Sequence, residues 1–325
     1  MQNRPSPLLG SLAVVLAAAL FATLGVLSRV TYDLGLTPLG FVTWRSGVAA
    51  IAMVIVVAIT IRRGGRLVGW RSLTPRDRIS LAVAALAGAS LDVTMFFAYA
   101  RVPVAVVLLC FYLFPAMVAA ASALLGWERL DRGRSVALGI ALAGMVAVVI
   151  GGPASAGSSG LDLLGVLLAI GSAVSQAVFV LVSRHGYRQM PTEQAMSVVL
   201  TTSASLAVVL ALLGGAAASI VLPLATPSLL GVVVFGGLFG AAVPSFLFLA
   251  GVRWIGGIRT GVLMLAQAPI GVALAAVFLN EPITVIQVVG GAAILVAALL
   301  IQRTPSTEDD ANPATVALDA PTISS

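Results

Sequence analysis

The sequence predicts an all-α integral membrane protein of ten transmembrane helices, arranged as two inverted five-helix repeats with both termini cytoplasmic. Three observations lead there. Apolar residues make up 60% of the 325-residue chain and only 9% are charged, with a mean hydropathy of +1.10, more apolar surface than a soluble domain has core to hide. The apolar residues fall in runs of about 20, the length that crosses hydrocarbon. Finally, Leu8, Leu9, Gly10, Ser28, Arg29 and Tyr32 recur as Leu163, Leu164, Gly165, Ser183, Arg184 and Tyr187 at a constant offset of 155 residues.

Each span is an apolar run between charged or Gly/Pro-rich breaks. The first, 8–27, follows Arg4 and resembles a cleaved signal peptide in its small residues. Its length and its internal copy from Leu163 onward favour a retained span. The gap after the second span, 38–61, holds six arginines from Arg62 to Arg78. The third and fourth, 79–100 and 102–125, are separated by Arg101, and the fifth, 135–151, follows Arg129, Arg132 and Arg134. The second half repeats the series at 161–183, 194–213, 229–250, 257–279 and 283–301. The domain reading is therefore a short cytoplasmic N-terminus (1–7), a first repeat (8–151), a second repeat (161–301) and a cytoplasmic tail (302–325). The tail lacks apolar periodicity and is expected to be disordered.

Arginine placement tests the span count. With a cytoplasmic amino terminus, fifteen of the 18 basic residues fall in cytoplasmic segments. Only Arg29 and Arg101 fall on the other face, and Arg45 lies within a span. Such a positive-inside bias collapses if one helix is added or removed. Five helices per repeat is odd, so the second copy inserts upside down, and inverted repeats of this kind present a shared midplane cleft to either side. The net charge of +6 is thereby read as a topology signal and not as a nucleic-acid surface. The Arg62–Arg78 segment, with Leu67, Val68, Trp70 and Leu73 interleaved, reads as an interfacial anchor in contact with membrane lipid. Cys110 is the only cysteine, which leaves no intrachain disulfide and no cysteine-based metal site.

The stretch Phe96-Phe97-Ala98-Tyr99-Ala100-Arg101 precedes a helix with Pro115, thirteen residues before Glu128 in Leu124-Leu125-Gly126-Trp127-Glu128-Arg129. The second half echoes it with Phe246-Leu247-Phe248-Leu249-Ala250, Arg253, Pro269 and Phe278-Leu279-Asn280-Glu281-Pro282. This pattern resembles the EamA-like repeat of the drug/metabolite transporter superfamily, in two copies over roughly residues 8–301. The resemblance implies ten helices and a plasma-membrane carrier, in a family dominated by exporters of amino acids, other metabolites or drugs. Trp127 and Asn280 stand where the family has glycine, and the Pro-to-Glu spacing is one residue shorter in the second copy.

An ionised group in the hydrocarbon costs at least ~2.5–3.5 kcal/mol to insert, so charges inside spans are functional candidates. Arg45 and Asp92 qualify, and both lie roughly 10–12 Å below the outer boundary at 1.5 Å per residue. They are close enough in depth to meet, either as a static ion pair locking the second and third spans or as a substrate-binding pair. Asp92 shares a helical face with Gly88, Met95, Phe96 and Tyr99. On the sixth span Ser172, Gln176, Phe179 and Ser183 form one stripe. Gln267, Tyr112 and Trp44 complete a polar and aromatic set expected to face the bundle interior. Asp92 is the only acid well inside a span, which motivates a coupling proton. Pro115, Glu128, Pro269 and Glu281 are read as a structural repeat motif. Gly139, Ala143, Ala293 and Ala297 are read as small residues that allow close helix approach, and Pro115, Pro244 and Pro269 as bends.

These features favour a secondary carrier of a small organic solute, most simply an exporter, with no cofactor and no metal. A membrane enzyme finds no zinc spacing, no phosphate loop and no histidine set to activate a nucleophile. A non-transporting scaffold or a channel is the remaining alternative, the latter lacking a clear continuous wet path.

Overall fold

A computed structural model describes residues 7–99, 101–102, 104–127, 131–150, 162–215, 217–279 and 283–303. The described residues are helical throughout, joined by turns. In chain order the helices are α1 (Pro7–Asp33), α2 (Pro38–Arg62), α3 (Pro75–Tyr99), α4 (Val104–Phe111), α5 (Phe114–Leu124), α6 (Arg132–Ile150) and α7 (Leu163–His185). They continue with α8 (Thr192–Leu213), α9 (Ala217–Ala225), α10 (Pro227–Gly237), α11 (Val243–Ile255), α12 (Gly257–Met264), α13 (Gln267–Leu279) and α14 (Val285–Arg303). Among the described residues eight helical stretches are long and apolar enough to cross a membrane, with α10–α11 and α12–α13 each counted as one, and Phe114–Leu124 and Val285–Ile301 are shorter apolar helices.

Caps and prolines decide where helices start and break. Thr37 accepts from the Gly40 N–H at 3.1 Å ahead of Pro38, and Asp162 accepts from Leu164 N–H at 2.9 Å. Both satisfy donors that the first helical turn leaves open. Two stretches read as continuous, 102–125 and 257–279, are each two helices, parted at Tyr112–Leu113 and at Leu265–Ala266. A proline lacks its N–H and its ring presses on the carbonyl four residues back. For Pro115 that carbonyl belongs to Phe111, the last residue of α4. For Pro269 it belongs to Leu265, the first residue of the second break. Ahead of Pro244 the same conflict is absorbed by a π segment, Leu238–Ala242, between α10 and α11. The anticipated bends are thus breaks and a widened turn. Helix α9, which contains Pro223, was not legible as a span because it is too short to be one.

Several helices also outrun their apolar runs. Helix α1 continues to Asp33 and α3 begins at Pro75, where Thr74 and Asp77 cap each other's groups, the Asp77 N–H lying 3.1 Å from Thr74 Oγ1. Hydropathy marks the edge of hydrocarbon, whereas capping marks the end of the helix.

The two halves pack through equivalent helices. Helix α3 lies along α7 and its counterpart α10–α11 lies along α1, while α2 packs on α8 and α6 on α14. Gly10 and Gly165 show the equivalence in detail. A Cβ on Gly10 would meet Ile255 Cγ2 at 2.5 Å, and one on Gly165 would meet Val102 Cγ1 at 2.7 Å. Each glycine lets the first helix of one half close on the end of the third helix of the other. The ends of the bundle follow. One end gathers the start of α3, the end of α7 and the start of α8, since Asp77 bonds Tyr187 and the Val68 backbone bonds Gln194. The other gathers the start of α2 with α9 and the end of α3 with the start of α7, through Thr37–Ser219 and Arg101–Asp162. Helices α1 and α7, and likewise α3 and α11, therefore run in opposite directions.

The anticipated small-residue seam is real at α6–α14: Ala293 takes part in it and Ala297 is buried, but on α6 it uses Gly144 in place of the anticipated pair. Gly144 and Gly290 meet backbone to backbone, with Ala293 beside them, whereas Gly139 has nothing within 4 Å of a Cβ and lies with Ala143 on the exposed face. Glu128 and Glu281, with the chain ends 1–6 and 304–325, lie outside the described residues. So do the side chains of Arg29, Phe96 and Tyr99.

Candidate intramembrane site

Arg45 is the eighth residue of α2 and Asp92 the eighth from the end of α3. The antiparallel run of the two helices brings them level. Arg45 Nη2 donates to Asp92 Oδ1 at 2.6 Å. Arg45 is 7% exposed and the Asp92 side chain 19%, so the guanidinium is enclosed by the bundle and the carboxylate is less completely covered. Asp92 Oδ2 accepts from Ser46 Oγ at 3.4 Å and, more closely, from Ser203 Oγ on α8. One carboxylate therefore ties α2 and α3 of the first half to α8 of the second. A fourth helix approaches from the side: the Tyr32 phenol on α1 lies within electrostatic reach of Arg45.

Trp44, next to Arg45, points elsewhere along α2. Its indole Nε1 donates to the Ile220 carbonyl at 2.9 Å, and its ring joins the cluster around Leu36, Phe41, Leu229 and Val233. It fastens α2 to α9. Tyr112 is buried in the break between α4 and α5, with its ring 5.3 Å from Phe111. Gln267 opens α13 after the equivalent break and is half-buried. The α7 stripe faces inward at every position: Ser172, Gln176, Phe179 and Ser183 are all buried, and Phe179 stacks on Phe248 at 6.3 Å. Tyr112, Gln176 and Gln267 thus lie outside the three helices that meet at Asp92.

Two participants were missed by sequence reading, Ser46 and Ser203. Ser203 lies in Thr201-Thr202-Ser203-Ala204-Ser205, a hydroxyl-rich turn in the middle of an apolar helix. That local enrichment was the available signal, since hydroxyls at such depth need partners. Replacing Ser203 by Ala is expected to cost about 1.5–3 kcal/mol, the range for a hydrogen bond to a charged group, read as a lower unfolding midpoint of the purified protein. An unchanged midpoint would show that α8 is held by apolar packing alone.

His185 and Trp127, which were not assigned a role, pack against each other with ring centroids 4.2 Å apart. The tryptophan in the usual glycine position therefore covers the end of α7. Among the described residues no group of three His, Cys, Asp or Glu side chains is placed to hold a metal ion.

A bundle of apolar helices in two antiparallel halves, with a buried ion pair in the first half hydrogen-bonded to Ser203 of the second, defines a multi-pass membrane protein. The model of the EamA-like transporter family matches residues 8–150 and again 163–303, and the chain belongs to that family, a branch of the drug/metabolite transporter superfamily. Members of that family are membrane transporters rather than enzymes, which supports the same coarse reading of this chain. Among 29 matching chains of solved structure, one crystal structure superposes with a TM-score of 0.73, covering 90% of this chain and 95% of its own at 22% identity. That likeness concerns the fold. No curated protein matches the chain.

Proposed function

We propose that the protein is a secondary transporter that exports a small organic solute, such as an amino acid, another metabolite or a drug-like compound, across the plasma membrane by alternating access. The α4–α5 pair counts as one crossing and α14 as another, giving ten spans with both termini cytoplasmic. The observation that carries the reading is the Arg45–Asp92 pair inside two apolar helices of the first half, with Ser203 of the second half hydrogen-bonded to the same carboxylate. Arg45 would engage an anionic group of the solute while Asp92 receives an amine or orients the guanidinium. Tyr99, Tyr112, Gln176, Gln267 and Trp44 would complete the pathway, and Asp92 would carry a coupling proton. Membrane lipid surrounds the bundle.

The test compares the solutes released by cells expressing the intact protein with those expressing Arg45→Ala at matched membrane levels. Enrichment of a solute by the intact protein alone is expected. The same solute should then show saturable counterflow in vesicles, with a pH dependence that Asp92→Asn removes. Equal enrichment by both proteins would take Arg45 off the pathway, and unaltered pH dependence in Asp92→Asn would remove the proton.

A further inference from the structure

The repeated residues found in the sequence are in different states at the two ends of the bundle. At the arginine-rich end, Ser183, Arg184 and Tyr187 close α7 and Arg253 closes α11. Tyr187 is fully buried, with a positive φ of 38°, a conformation that a bulky residue holds only when its surroundings impose it. Its N–H donates to Asp77 Oδ1 on α3 at 3.1 Å, and its hydroxyl pairs with Ser183. Arg253 crosses from α11 and lies 5.2 Å from the ring centroid, the geometry of a cation–π contact. From there its Nη1 donates to the Met190 carbonyl at 2.9 Å and to Thr192 Oγ1 at 3.2 Å. Arg184 reaches back to the Val252 carbonyl at 3.2 Å and to that of Arg253. Two arginines exchange places across the α7–α11 seam, and the turn into α8 is held with them.

The counterparts at the opposite end are Ser28 and Tyr32 on α1 and Arg101 after α3, and each is engaged elsewhere. Ser28 donates to its own helix at Gly25 O, 3.0 Å away. Tyr32 is half-buried and edge-on to Phe41, with centroids 6.4 Å apart. Arg101 forms an exposed ion pair with Asp162 at 2.9 Å, and the guanidinium beside it holds the Asp162 carboxyl below the usual carboxylate range. Helix α11 packs on α7 and α8, while α3 and α1 form no comparable pair among the described residues. The contacts within each helix pair are symmetric: Gly10–Ile255 and Gly165–Val102 are both made. Among the described residues, the contacts between the pairs differ from end to end.

We propose that the two sets are alternating gates. Ser183, Arg184, Tyr187 and Arg253 latch the arginine-rich end in this structure, and Ser28, Tyr32 and Arg101 form the equivalent latch at the opposite end in the other state. Arg101 then leaves Asp162 for the Tyr32 ring, as Arg253 lies on Tyr187 here. This rests on the transporter reading, because inverted repeats exchange conformations when access alternates. It assigns function to residues that touch no solute. The latch also gives a use to the serine and tyrosine that recur at a constant offset in both halves, and to an arginine near the end of the third span of each half.

The test is a distance measurement across the arginine-rich end, between spin labels at Gln189→Cys and Trp254→Cys in a Cys110→Ala background, with the full-length protein in lipid nanodiscs. Both label sites are exposed. Tyr187→Phe and Arg253→Gln are expected to move population from the short to the long distance. Tyr32→Phe and Arg101→Gln, at the far end, are expected to do the reverse and deplete the long-distance state. Opposite signs from opposite ends are something local loosening does not produce. Shifts of the same sign, or none, overturn the latch assignment. If solute counterflow is nonetheless measured, the transporter reading survives that result, whereas one invariant distance together with no counterflow overturns both.

Discussion

Arg45→Ala is expected to lower stability by about 3–5 kcal/mol, the cost of stranding one member of a buried ion pair. The variant leaves Asp92 between two serine hydroxyls with its guanidinium partner gone. Asp92→Ala strands Arg45 in the same way. The double variant Arg45→Met/Asp92→Leu is expected to recover most of the loss, since apolar residues of similar volume replace buried pairs with little penalty. Ser46 and Ser203 then have an alternative acceptor in the carbonyl one turn back, as Thr43 already does with Leu39 O at 2.9 Å and Thr202 with Val198 O at 2.9 Å. Unfolding midpoints of the four proteins in one detergent measure this. Transport separates the two roles of the pair. A stable double variant that moves no solute places the charges on the solute's path, and one that transports normally reduces them to a staple between helices.

The second large effect belongs to the α6–α14 crossing. A Cβ on Gly144 would lie 2.6 Å from Gly290 O, and one on Gly290 would lie 2.6 Å from Gly144 O and 2.8 Å from Val148 N. Those neighbours are backbone and cannot rotate away. Even Gly290→Ala must push the helices apart, at an expected cost of about 1–3 kcal/mol, and Gly290→Leu more. Gly139→Ala, five residues along α6 from Gly144, meets nothing within 4 Å. It is expected to be neutral or to stabilise by about 0.5–1 kcal/mol through the loss of glycine's extra backbone freedom. Thermal midpoints that fell equally for both variants would remove the close crossing as the cause.

These two cases show how far pattern reading reaches. Arg45 and Asp92 were legible because a charge in an apolar run is costly whatever surrounds it, and their depths matched. Ser203 was not, because its importance depends on α8 lying beside α3, a contact between residues 111 apart. Gly139 and Ala143 had the right spacing for a seam on α6, yet the helix turns its Gly144 face to α14. Small residues four apart occur on several faces of an alanine- and glycine-rich helix, and spacing cannot say which face finds a partner. The broken helices α4–α5 and α12–α13 were half legible. Pro115 and Pro269 announced a disturbance, while its form depended on what could pack into the break, as Pro115 does against Gly261, where a Cβ would be 3.0 Å away.

By itself the sequence determined the class of molecule, the helix-forming runs and the duplication, since hydrocarbon length, buried charge cost and repeated residues are properties of the chain alone. The tertiary structure decided which helices are neighbours, which hydroxyls complete the Asp92 carboxylate, and how the equivalent serines, tyrosines and arginines are bonded at the two ends. The last could not have been read in advance. Both ends carry serine and tyrosine from the first helix of a half and an arginine from the third, so the sequence is nearly even-handed between them. Among the described residues, the packing of α11 against α7 and α8 breaks that tie.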